Sequence, residues 1–293
     1  MTLSSLTVPA PTAGGPAGVS PLVRPLAEGL AAALPARGGN PWTVQPYRAW
    51  WTIEPAVRLV QGLRALVVVA DGPWDTEVAW QLPGREPTGP DLRVGSHEAA
   101  RIARGVLRLV LPVLDDEAAT RSRPGAPLVM GRLDALNEIG TAIRGRGLAT
   151  HNHVGLHANS SVLAWGTPSG LRYAVTMHGS NPVCDLSVTG PVRAVERVLP
   201  GFLPLPSSRT PRHPMRHIKG RLARRLAAHL VHFTGVDQLD DEGLAIGTAT
   251  GPYGYVSPAL DPVARVRDST PAAVELHAVG VDLLLSLAAE LTR

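Results

Sequence analysis

The residues best suited to chemistry in this chain are three histidines in one short segment, His151, His153 and His157. In an extended segment, residues separated by an even number of positions point to the same side, so the three rings can share one side of a strand. Three imidazoles with a water molecule as the fourth ligand form a catalytic zinc site. A metal-dependent enzyme built on these histidines is therefore one function to consider.

The surroundings of the histidines favour a simpler interpretation. No aspartate, glutamate or cysteine lies nearby in the sequence to serve as a fourth ligand or a general base. The segment also falls in a polar connection between a predicted helix and a predicted strand. We therefore expect a solvated loop and no bound cofactor, with zinc at the histidines as the alternative.

A second candidate site is a basic segment in the last third of the chain. Eight basic residues and no acidic residue lie between Glu196 and Asp237, and the rest of the chain has more acidic than basic residues. Such a localised charge indicates an anionic partner, either a nucleic acid or an acidic protein. The residues predicted to bind it are Arg209, Arg212, Arg216, Lys219, Arg221, Arg224 and Arg225.

The spacing within this segment predicts an amphipathic helix with a cationic face. Ile218, Leu222, Leu226 and Leu230 recur at helical spacing, and the arginines fall on the opposite side. Such a helix can follow a phosphate backbone, contact a membrane surface or dock on an acidic partner. Alternatively, the face is only solvated and is balanced within the fold by the acids that follow, Asp237, Asp240, Asp241 and Glu242.

Several enzyme classes lack their usual sequence motifs. The only lysine, Lys219, is followed by Gly220, whereas a Walker-type phosphate loop needs serine or threonine at that position. No Gly-x-Gly-x-x-Gly opens a helix after a strand, and no Gly-x-Ser-x-Gly elbow occurs.

The single cysteine is predicted to belong to the core. A turn at residues 179–182 pairs Met177 with Cys184, so that Tyr173, Val175 and Met177 share one face of the hairpin with Cys184. His178 and Asp185 then lie on the opposite face. Cys184 is therefore interpreted as an apolar packing residue rather than a nucleophile.

The elements that position these residues predict an α+β fold. The chain reads as three units of helix, three short and mainly antiparallel strands, and helix, which cover residues 19–114, 131–205 and 209–293 after a flexible tail at 1–18. In the third unit, the basic helix leads. A strand is predicted at 263–267, and Ser269 or Thr270 is predicted to cap a last helix that contains Pro271 and extends to Leu291.

Composition bounds the function further. The chain has 293 residues, of which 44% are hydrophobic and 18% charged. One cysteine excludes an intrachain disulfide, no secretory signal is visible, and no stretch reaches the about 18 apolar residues of a transmembrane helix. We expect a cytoplasmic bacterial protein that is a non-enzymatic binding or adaptor protein. Its expected partner is a nucleic acid or an acidic protein.

Overall fold

The computed structural model describes residues 23–122, 131–155, 159–203, 217–240, 243–248, 251–258 and 265–293. The helices are α1 (Arg24–Ala33), α2 (Ala99–Gly105), α3 (Leu111–Arg121), α4 (Arg132–Arg144), α5 (Val192–Phe202), α6 (Arg221–Leu230) and α7 (Val281–Leu287), and a π-helical turn at Val106–Val110 joins α2 to α3. The strands are β1 (Thr43–Tyr47), β2 (Ala56–Gln61), β3 (Arg64–Asp71), β4 (Asp75–Gln81), β5 (Leu92–Val94), β6 (Thr150–Val154), β7 (Ser160–Gly166), β8 (Arg172–His178), β9 (Val183–Pro191), β10 (Val236–Gln238), β11 (Leu244–Gly247), β12 (Tyr253–Pro258) and β13 (Pro271–Gly280).

The strands form two antiparallel sheets, so the predicted α+β class is confirmed. The first sheet has the order β1-β2-β3-β4-β5, and the second has the order β10-β11-β12-β13-β9-β8-β7-β6. Strands that follow one another in the chain are mostly neighbours, as short turns between antiparallel strands require. The exception is the pairing of β9 with β13, which joins two meanders into one sheet of eight strands.

The predicted repeat of three units is not confirmed. The meanders β6–β9 and β10–β13 have four strands each and share one sheet, whereas the first unit has five strands in a sheet of its own. In the first unit, β1 ends at Tyr47 and residues 48–55 form a loop that leads into β2.

The largest error of the sequence-based prediction concerns the last helix. Residues 271–280 form strand β13, and the helix α7 begins only at Val281. In β13, Ala272, Val274 and Leu276 are buried at alternate positions, which is the period of a strand. Pairing with β12 on one side and β9 on the other overrides the helical tendency of this alanine-rich segment. The described part of the predicted strand at 263–267, from Arg265 onward, is not a strand either.

Helices fill the space between the two sheets. Helix α3 contacts β4 of the first sheet and both β9 and β13 of the second. Leu66 of β3, Leu114 of α3 and Leu186 of β9 belong to one continuous hydrophobic core. The eight-stranded sheet therefore has one face against helices and an opposite face, here called the outer face, whose described residues contribute no apolar side chain to this core.

A buried ionic network also links the two sheets through the helices. Arg64 of β3 donates from Nη1 to Asp115 of α3 at 3.0 Å and to Asp282 of α7 at 2.8 Å. Arg37 lies 3.0 Å from both Asp282 and Glu138 of α4. Every member is at most one-fifth exposed, so the network connects β3 of the first sheet to α3 and α7 through buried charges.

Candidate binding surface on the eight-stranded sheet

The outer face combines a centre of small side chains with polar groups around it. Alternate residues of β7, β8 and β9 point away from the helices, and this side carries Ala164, Ala174 and Ser187 near its middle. These three residues are neighbours across the strands, since Ala174 is paired with both Ala164 and Ser187. Small side chains leave the centre of the face shallow and accessible.

A row of residues from six different strands crosses the outer face beside this centre. Because residues directly opposite in an antiparallel sheet have Cβ atoms about 5 Å apart, strand register alone brings distant parts of the chain together. The pairs of the row are His153 with Val162, Val162 with Thr176, Thr176 with Asp185, and His277 with Tyr253. Asp185 and His277 complete the row by a side-chain contact.

Asp185 lies between two histidines, and we call His178, Asp185 and His277 the His–Asp cluster. His277 donates from Nδ1 to Oδ1 of Asp185 at 2.9 Å, and His178 Nε2 lies 3.2 Å from Oδ2. Each of the three side chains is between 35% and 42% exposed. A carboxylate that accepts a hydrogen bond from the Nδ1–H of a neutral imidazole leaves Nε2 of that ring as a hydrogen-bond acceptor. The cluster therefore orients His277 to receive a hydrogen bond from a ligand.

The cluster lines an open depression with a volume of about 420 Å³. Thr176 and Ser187 lie along it, His153 stands at the β6 side and Glu275 at the β13 side. Tyr255 donates a hydrogen bond to Glu275, and this bond, together with burial, raises the pKa of the phenol. The depression thus contains hydrogen-bond donors and acceptors that are already oriented by their neighbours.

A close approach of β12 to β13 supports this arrangement. A Cβ atom on Gly254 would clash with the carbonyl oxygen of Glu275, so only glycine fits between the flanking tyrosines. Tyr253, the cross-strand partner of His277, packs its ring 5.5 Å from the ring of His277.

The structure places two of the three histidines predicted as metal ligands. His151 and His153 lie on β6, exposed and on the outer face, and His157 lies outside the described residues. Within the described ranges, no group of three His, Cys, Asp or Glu side chains, the His–Asp cluster included, has an arrangement that could hold a metal ion. His153 instead lines the depression beside the His–Asp cluster. Zinc binding stays a hypothesis, tested by metal analysis of protein purified without an affinity tag.

Sequence reasoning found part of the depression and missed the rest. The predicted face that holds His178 and Asp185 is correct, and Cys184 is fully buried on the opposite face as predicted. His277 was missed because its segment was predicted to be helical. The alternation of Ala272, Val274 and Leu276 was the signal that could have placed it on the outer face.

The basic segment forms an amphipathic helix where it is described. In α6, Leu222, Leu226 and Leu230 are buried, whereas Arg221 and Arg224 are exposed. Lys219 precedes the helix, and its backbone N–H donates to Oε1 of Gln238. Arg209, Arg212 and Arg216 lie outside the described residues.

Arg225 forms ion pairs with two carboxylates. Its Nε donates to Glu196 at 2.6 Å and its Nη2 to Asp268 at 2.8 Å, and these contacts raise the pKa of the guanidinium. These carboxylates are not those of the acidic group at 237–242. Arg225 thus joins α6 to α5 and to the segment before β13, which leaves Arg221 and Arg224 as the outward arginines of the helix.

Comparison with protein-family models, with curated proteins and with solved structures finds no match to this chain. Among the described helices, none is both long and apolar enough to cross a membrane.

Proposed function

We propose that this chain is a non-enzymatic binding or adaptor protein whose ligand surface is the outer face of the eight-stranded sheet. The observation that carries the proposal is the His–Asp cluster at the edge of the depression. Asp185 holds two imidazoles in place on a face from which helices are absent within the described ranges. Oriented polar groups in a concave, accessible site are the usual features of a binding surface.

The chemistry of the depression favours a polar ligand that both donates and accepts hydrogen bonds. The carboxylates of Asp185 and Glu275 and Nε2 of His277 accept hydrogen bonds, and the imidazole of His153 supplies either role. The small residues Ala164 and Ala174 next to the cluster allow a flat group, such as a peptide backbone, to lie close to the strands. For an adaptor, the ligand of this surface would be a segment of a partner protein.

The experiment compares immobilised wild-type protein with Asp185→Asn and His277→Gln in an extract of the native host. Molecules retained by the wild type and lost from both variants are expected to define the ligand. Arg172→Gln is the matched control, because Arg172 is exposed on β8 and does not line the depression. Identical retention by the wild type and both cluster variants would rule out the depression as the ligand site.

A nucleic acid bound through the basic segment is the second candidate function. It is supported by the exposed positions of Arg221 and Arg224 on α6. Treating half of the same extract with nuclease separates the two candidates. Loss of partners after nuclease treatment and in the Arg221→Ala/Arg224→Ala variant, but not in Asp185→Asn, would favour the nucleic-acid role.

A further inference from the structure

The edge strand β6 presents unpaired backbone groups. It pairs with β7 on one side and ends the eight-stranded sheet on the other. The N–H of Gly155 donates to the carbonyl of Ser160, so alternate residues, including His151 and His153, direct their backbone groups toward β7. The backbone groups of Thr150, Asn152 and Val154 therefore point outward, and no described strand pairs with them.

The other three sheet edges carry features that hinder strand addition, and β6 does not. Strand β1 contains Pro46, and the three-residue strands β5 and β10 contain Arg93 and Asp237. Proline, short length and charge are the common means of blocking an edge. Strand β6 has five residues, no proline and no Lys, Arg, Asp or Glu, and four of its five side chains are exposed.

We propose that β6 pairs antiparallel with β6 of a second copy of this chain. Centring the pair on Asn152 places Thr150 opposite the partner's Val154, and all the outward backbone groups then find partners. The contact is symmetric, as the twofold axis of a homodimer requires. The two sheets become one sheet of sixteen strands. This inference is independent of the proposed ligand surface.

Charged residues on helix α4 are placed to complement those of a second copy. Helix α4 packs across β6, β7 and β8, so the two copies of the helix lie about three strand spacings apart, about 14 Å. Asn137 of α4 bonds to Asn152, and Arg144 bonds to Thr150, which fixes the side of the helix that faces the edge. Asp134 lies on the same side, three residues before Asn137.

Antiparallel pairing brings Asp134 of one copy opposite the partner's Arg144. Both side chains are exposed, and within the described part of the chain neither forms an ion pair. An arginine and an aspartate together span the gap between two helices at this separation. The exposed side chains of Leu133 and Val154 lie at the same end of the strand and would be partly covered by the second copy.

The partner also reaches the margin of the depression. In the antiparallel pair, His153 lies next to the partner's His151 on the outer face. The two outer faces then continue into each other across the junction, so the dimer would have two depressions on a single surface.

Sedimentation equilibrium of the full chain tests the proposal. The wild type is expected to be a dimer. Asn152→Pro, which removes an outward N–H that β7 does not use, is expected to be a monomer, and Asn152→Thr, which keeps that N–H, is expected to remain a dimer. A wild type that is monomeric at every accessible concentration would overturn the proposal, and so would an Asn152→Pro variant that is folded and dimeric.

Charge reversal provides a second test that does not depend on proline being tolerated. Asp134→Arg and Arg144→Asp should each raise the dimer dissociation constant about tenfold, because like charges then face each other across the junction. The double variant restores opposite charges and should return the dissociation constant to within about threefold of the wild type. If the double variant weakens the dimer by the sum of the two single effects, the antiparallel register is contradicted.

Discussion

His277 and Asp185 meet where the register between β9 and β13 changes, with His277 Nδ1 2.9 Å from Asp185 Oδ1. The register shifts by one residue between Leu276 and Val279, and Ala278 takes a positive φ of 57° at this bulge. Bulges commonly redirect a neighbouring side chain. The junction of the two meanders is therefore also the place where the depression acquires its third histidine, after His153 and His178.

Ala278→Gly is expected to stabilise the protein. A left-handed conformation costs an alanine about 1 kcal/mol, and glycine avoids this cost, so the free energy of unfolding should rise by up to about 1 kcal/mol. Urea unfolding measures the change. Ala273→Gly, in the same strand with ordinary backbone geometry, should instead destabilise by about 0.5–1 kcal/mol. Equal effects of the two substitutions would contradict the role of the bulge.

Asp282→Asn is expected to destabilise the fold by about 3 kcal/mol at neutral pH, because it leaves Arg64 and Arg37 buried with less opposing charge. Burial alone would raise the pKa of Asp282, but the two guanidinium groups outweigh it and hold the pKa below its usual value. Stability from a lowered pKa is present above the unfolded value and is lost as the pH falls through the folded one. The difference between wild type and variant should therefore shrink below about pH 4.

For Asp115→Asn, the stability difference between wild type and variant should depend on pH in the opposite direction. Burial raises the pKa of Asp115, and the nearby Asp282 adds to this effect against the attraction of Arg64. A raised carboxyl pKa favours the protonated form in the folded state, so the wild type should gain stability relative to this variant as the pH falls toward 4. Urea unfolding over a pH series measures both variants. If the free energy of unfolding changed with pH in the same way for Asp115→Asn and Asp282→Asn, this description of the network would be contradicted.

The thiol of Cys184 is expected to react only when the protein unfolds. Burial raises its pKa to about 12, and the thiolate is the reactive form. Because it is the only cysteine, a thiol reagent gives a single signal. Labelling at pH 8 should follow the rate of unfolding measured independently in the same buffer. Rapid labelling of the native protein would place Cys184 outside the core.

The arginines of α6 are expected to separate into two classes. Arg225→Ala should lower the free energy of unfolding by about 1 kcal/mol, since it removes contacts with Glu196 and Asp268 that solvent partly screens. Arg221→Ala/Arg224→Ala, at two exposed positions, should change stability by less than Arg225→Ala does. If nucleic acid binds, the double variant should reduce the slope of log affinity against log salt by up to about two, and Arg225→Ala should not.

Local patterns in the sequence were sufficient to predict several structural features. The turn at 179–182 determined the register of β8 and β9, and with it the burial of Cys184 and the outward direction of His178 and Asp185. Helical spacing determined the buried and exposed sides of α6. These features depend on residues close together in the chain, where side-chain period and turn chemistry decide the outcome.

Contacts between distant segments decided the rest. Residues 271–280 carry both a helical composition and a strand alternation, and only the hydrogen bonds offered by β9 and β12 select the strand. That selection merges the last two units into one sheet, turns His277 toward Asp185 and leaves β6 at an open edge. The sequence by itself determined the α+β class, the buried cysteine and the amphipathic basic helix. Tertiary pairing decided where the polar side chains meet, because non-local strand register is absent from the local pattern.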